Sequence, residues 1–101
     1  MTYVVINELF VDEGNEAVFE QNFAASMAGA GTLGQVDGLT TARLLAPQGP
    51  DRGYLSVLEF VDDDAYRRYL ASDAFQAAHT WPDHAPFSRN QLAEFAAIFD
   101  M

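Results

Sequence analysis

The sequence predicts a two-layer α+β domain, a sheet backed by helices, in the order strand, helix, strand, strand, helix, strand. Three observations carry it. Three runs are dense in β-branched and aromatic residues, two segments between them space apolar residues at helical intervals, and turn formers sit at the joins. Tyr3–Val11 is the first strand, apolar enough to be covered on much of both faces, and Asp12-Glu13-Gly14-Asn15 breaks it. From Glu16 onward Phe19, Phe23 and Met27 recur every four residues with polar residues between them, which predicts an amphipathic helix fading into the small-residue stretch from Ala28 to Thr32. Val36 to Leu45 reads as the second strand, with Gly38 as a bulge or bend, and Tyr54 to Val61 as the third. The turn formers between Pro47 and Gly53 make these two a hairpin.

Asp62-Asp63-Asp64 supplies an N-cap and first-turn negative charge, and Ala65, Tyr66, Tyr69 and Leu70 continue that helix. Ser72 can cap a further turn that carries Phe75, Ala78 and His79. Thr80 to Asn90 contains Pro82 and Pro86 and is expected to be irregular. Leu92 to Phe99 is ambiguous by pattern between helix and strand, and the simplest closure makes it an edge or interface strand. The result is βαββαβ, the ferredoxin-like arrangement.

At 101 residues the chain fits one domain over its whole length, 1–101. Half of its residues are hydrophobic and 13% aromatic, which marks a folding sequence; so small a domain gains from pairing with a second copy, and a homodimer is expected. Five arginines and no lysine against fifteen acidic residues give a net charge of −10, which repels phosphate backbones and anionic lipid surfaces. Nucleic-acid and membrane partners are therefore not expected. Without cysteine, disulfides, iron–sulfur clusters and thiol catalysis are excluded. The first residues lack a basic segment followed by a long apolar run, so a cytoplasmic protein is expected.

No phosphate-binding glycine loop, zinc-protease motif or nucleophile elbow is present. The candidates are single residues. Asn7 puts an amide inside an apolar strand, where it either lies exposed or must find partners, and in a pocket it would be a hydrogen-bond donor. Phe75 and His79, four apart, share a helical face among alanines, so His79 is either a satisfied core histidine or an iron ligand that small neighbours let a flat macrocycle approach. Tyr66 and Tyr69 lie on the preceding helix. Trp81 reads as a packing residue, and His84 beside Asp83 as a solvated loop histidine whose spacing to His79 matches no metal site.

Tyr3-Val4-Val5-Ile6-Asn7, Asp62 to Tyr69 and Ser72 to His79 together resemble the antibiotic biosynthesis monooxygenase family, and within it the IsdG-like heme-degrading monooxygenases. The resemblance implies ferredoxin-like protomers paired into a dimeric α+β barrel, each with a pocket between sheet and helices. It implies an oxidoreductase in which heme is substrate and cofactor, opened with dioxygen and electrons from an external donor such as a reductase, with release of iron. His79 would be the axial ligand to heme iron, Asn7 the distal hydrogen-bond donor and Tyr69 the residue packed on the macrocycle, with Tyr66 and Phe75 completing the binding residues. Tyr69 stands where the heme-degrading branch carries a tryptophan, and a phenol is smaller and carries a hydroxyl. Two other readings use the same apolar pocket: a cofactor-independent monooxygenase of quinols or polyketides, and a non-catalytic dimeric domain that binds a small aromatic ligand.

Overall fold

In a computed structural model that describes residues 2–26, 36–73 and 87–101, the expected order is found: β1 (Tyr3–Val11), α1 (Glu16–Ser26), β2 (Leu39–Leu45), β3 (Tyr54–Phe60), α2 (Asp63–Leu70) and β4 (Phe87–Ala96). All pairings are antiparallel, in the sheet order β2-β3-β1-β4, so the fold is ferredoxin-like. Register decides which side chains share a face. Tyr3, Val5, Asn7 and Leu9 stand opposite Phe60, Leu58, Ser56 and Tyr54, and all eight face the helices.

The helices cover this face in two patches. α2 brings Ala65, Tyr66 and Tyr69 onto Val5, Leu58 and Phe60, whereas α1 brings Phe19 onto Leu9 and Tyr54. α2 is well capped: the Asp62 carboxylate accepts from Ala65 N at 2.8 Å, Asp63 and Asp64 lie in its first turn, and Arg67 and Arg68 in its last. α1 is anchored chiefly through Phe19, 2% exposed and tilted against Tyr54 at a ring separation of 5.0 Å, while Phe23 is half-buried. Met27 lies outside the described residues.

Among the described residues, no element covers the other face of the sheet. Val4, Ile6 and Phe10 of β1 and Leu55 and Val57 of β3 are half-buried there, and Leu45 and Phe95 are exposed. Among the described residues β1 is thus most deeply buried at Val5 and Leu9, on the helix-facing side, and half-buried on the other. Glu8 on this face accepts from Gly53 N at 2.9 Å and lies 3.6 Å from Arg52, which ties the end of the β2–β3 loop to β1.

Two boundaries differ from the expectation. β2 starts at Leu39 because Asp37-Gly38 makes a turn, with Gly38 at φ +87°, and its carbonyl accepts from Val61 N at 2.9 Å. β4 spans Phe87–Ala96, although Thr80 to Asn90 read as irregular and Leu92 to Phe99 as the element. The cause is its partner: β1 reaches Val11, which pairs with Phe87 across a register shift, and begins at Tyr3, which pairs with Ala96. Ile98 and Phe99 therefore run past the end of β1 and are exposed.

Gly38 makes the closest approach between loop and helix, since a Cβ there would lie 2.6 Å from the Ala65 Cβ. Gly38→Ala should cost about 2–4 kcal/mol, from the left-handed backbone and the overpacking together. Gly14, at φ +90° with open space around it, isolates the backbone part. Urea unfolding followed by circular dichroism should show a clearly larger loss for Gly38→Ala than for Gly14→Ala; equal losses would show that the approach to Ala65 is without consequence.

Candidate functional site

Asn7 lies at the middle of β1, on the helix-facing side, between Ser56 of β3 and Leu92 of β4. The buried residues on either side of this row belong to different clusters. Val5, Leu58 and Phe60 with α2 lie on one side, Leu9 and Tyr54 with Phe19 on the other. An amide and a hydroxyl thus interrupt the apolar surface where the two helical patches part. Asn7 is half-buried, and Asn90 Nδ2 donates to its Oδ1 at 3.1 Å. An exposed or strand-end Asn7 is ruled out by its place in the sheet.

Tyr66 and Tyr69 form the α2 side of the site. Tyr66 is 4% exposed, stacked on Tyr3 with ring centroids 5.6 Å apart and tilted against Phe60 at 5.4 Å. Tyr69 is 3% exposed, with its ring 5.7 Å from that of Phe60 and 6.4 Å from that of Tyr66. Both therefore belong to the wall that flanks Asn7 on the Val5 side. Phe75, His79, Trp81 and His84 lie outside the described residues.

The ionisation of the phenols bounds the chemistry. Burial, then the neighbouring Tyr66, pushes Tyr69 up to about 12; burial, then the negative Glu94, also raises Tyr66. Tyr54 is pushed up to about 12 by its 2.5 Å hydrogen bond to Glu20, then by burial. Tyr3 is raised first by the bond its hydroxyl donates to Glu94. At neutral pH all four are phenols and not phenolates, able to donate hydrogen bonds and unsuited to abstract a proton. Among the described residues the site is thus an aromatic-walled surface with amide and hydroxyl donors and one carboxylate, Glu94, at its β4 edge, suited to holding and orienting a planar apolar molecule.

Ser56, Asn90 and Glu94 did not emerge from the sequence as site residues. Glu94 and Asn90 join the Asn7 face only through β4's register, in which Glu94 opposes Val5 and Asn90 opposes Leu9. The alternation Asn90, Leu92, Glu94, Ala96 was the available signal, hidden by two prolines just upstream. Among the described residues no group of three or more His, Cys, Asp or Glu could hold a metal ion, and no helix is long and apolar enough to cross a membrane.

Comparison with known proteins agrees with this geometry. The model of the antibiotic biosynthesis monooxygenase family matches residues 2–81. The heme-degrader MhuD from Mycobacterium tuberculosis, with two hemes bound in its active site, superposes with a TM-score of 0.78 at 23% identity, over 98% of each chain. A heme-free, cleaved form of that protein gives 26% identity and a TM-score of 0.64, covering 100% of this chain and 99% of the other. A mutant of SnoaB, a cofactor-independent oxygenase from Streptomyces nogalater, gives 25% identity and a TM-score of 0.77, covering 99% of this chain and 96% of the other. No curated protein sequence matches.

Proposed function

The chain belongs to the antibiotic biosynthesis monooxygenase family, and from that premise we propose that it is a heme-degrading monooxygenase whose substrate lies over the Asn7 row. The observation that carries the reading is the placement of Asn7: a hydrogen-bond donor on the helix-facing side of the sheet, in the gap between two aromatic clusters. Apolar walls with few polar groups suit a porphyrin face. Iron that arrives inside a porphyrin already has its ring nitrogens and asks the protein for one axial ligand, not for a cluster of carboxylates and histidines. His79 is the residue we assign to that ligand, on the sequence pattern it shares with Phe75.

When bound, heme would supply the iron at which dioxygen reacts, with electrons from an external donor such as a reductase, and its own macrocycle as the framework oxidised. The chain's residues bind and orient. Asn7 presents an amide N–H toward the reacting side, Tyr66 and Tyr69 support the ring from α2, and Phe75 is the further binding residue that the family resemblance implies. The open sheet face, apolar at Val4, Ile6, Leu55, Val57 and Phe95, is where we place a second copy of the chain, closing the barrel. With its short helices and acidic surface, we place the protein in the cytoplasm.

A cofactor-independent oxygenase is the second reading. The 25% identity to SnoaB supports it, as does Tyr69 at the position where the heme-degrading branch carries tryptophan. In that case Asn7 would hold a phenolate or carbonyl oxygen of a quinol.

A hemin titration decides between them. We expect saturable binding of one heme per protomer in absorption spectra, loss of the Soret band with iron release on adding ascorbate in the presence of catalase, and sedimentation of the sample as a dimer. Absence of saturable binding, with oxidation of an added naphthalenediol, would establish the second reading instead.

A further inference from the structure

The side chain of Asn7 makes one hydrogen bond among the described residues, and its partner is Asn90. The two are diagonal neighbours across the β1–β4 pairing, since Asn7 opposes Leu92 and Asn90 opposes Leu9. A diagonal pair on one face of a sheet is within reach of side chains of this length. Asn90 donates through Nδ2, so Asn7 uses its carbonyl oxygen toward β4. An amide is planar, with its NH2 on the side away from its carbonyl. Holding the oxygen toward β4 turns the NH2 away from that edge strand, toward the middle of the sheet and the gap between the clusters.

We propose that Asn90 is a positioning residue: it holds the Asn7 amide with the NH2, not the carbonyl, facing the substrate. The inference rests on the reading of Asn7 as the substrate-facing donor. An unheld amide can rotate by half a turn and present its oxygen, which would repel the electron-rich oxygen that the site must stabilise. With Asn90 donating to the oxygen, that rotation costs the bond unless Asn90 turns as well, so it is disfavoured. Asn90 itself is exposed on the edge strand.

Two variants separate positioning from a structural role. Asn90→Ala frees the Asn7 amide, and turnover should fall about twofold because the productive orientation is then only one of two. Asn90→Asp has nearly the same shape but only accepts hydrogen bonds. It should draw the Asn7 NH2 toward β4, turn the carbonyl into the gap and lower turnover about a hundredfold, toward the loss expected when an oriented donor is removed. The order matters, because a packing role would make the isosteric aspartate the milder change. Hemin affinity should stay close to wild type in both. The ferrous–CO complex should show a raised C–O stretch in Asn90→Asp, where the donor has turned away.

In the ligand-free protein, the Asn7 side-chain amide resonances in a 1H–15N spectrum should shift in both variants, and in opposite directions. Unmoved resonances, or an aspartate variant that turns over as fast as wild type, would overturn the inference. A wild-type protein that does not bind hemin would overturn the heme reading instead, and the amide resonances would still decide whether Asn90 sets the orientation of Asn7.

Discussion

Phe60→Ala is expected to destabilise the fold severely. Phe60 is fully buried, closes β3, and packs against the rings of both Tyr66 and Tyr69, with the register partner Tyr3 on its own face. Removing a ring from such a site costs about 3–5 kcal/mol, because the transfer energy is lost and the surrounding rings cannot close the cavity fully. A small domain has a total stability of about 5–10 kcal/mol, so roughly half of it goes. The neighbours also limit relaxation: Tyr66 is stacked on Tyr3, and Ala65 is already pressed against the Gly38 turn. Val18→Ala on the exposed side of α1 is the comparison, with an expected change under about 0.5 kcal/mol. Urea titration by circular dichroism should give a strongly lowered midpoint for Phe60→Ala and an unshifted one for Val18→Ala. Similar midpoints for the two would mean that the α2 cluster does not hold the fold together.

How far these features were readable in the sequence depends on whether their causes are local. β1 and β3 declared themselves through apolar and aromatic runs, and α2 through the aspartates that cap it, since strand composition and helix capping act within a few residues. β4 did not, because its limits come from β1, eighty residues away: Phe87 to Asn90 become strand by pairing with β1, and Ile98 and Phe99 fall outside because β1 has already begun. Asn7 stood out as the one amide in an apolar run. Its face and its partner depend on register, which no single strand reveals, and so Asn90 and Ser56 were invisible until β1, β3 and β4 were aligned. Tyr66 and Tyr69 were legible as neighbours of the site. That both are also core residues, packed on Phe60, follows only from the way α2 lies on the sheet.

Asn7→Ala is expected to separate binding from turnover. In the proposed function its amide donor acts on charge that develops during oxidation more than on the resting substrate, so its loss should lower turnover about 10²- to 10³-fold with little change in hemin affinity. Stability should barely change. The bond to Asn90 is lost, but Asn90 is exposed and recovers water, which leaves a cost below about 1 kcal/mol. On the proposed reading His79→Ala has the opposite profile: loss of the iron ligand assigned there should eliminate the defined Soret band at any hemin concentration that saturates wild type, while the fold is kept. An unchanged spectrum would remove His79 as the ligand and promote His84. Hemin titration and single-turnover decay of the bound heme, measured on both variants, resolve the two effects. Wild-type turnover in Asn7→Ala would mean that the gap between the clusters is not where oxidation occurs. A parallel loss of binding and turnover in Asn7→Ala would make the amide a ground-state contact, and the increment by which the enzyme accelerates oxidation would then have to come from the aromatic wall of α2.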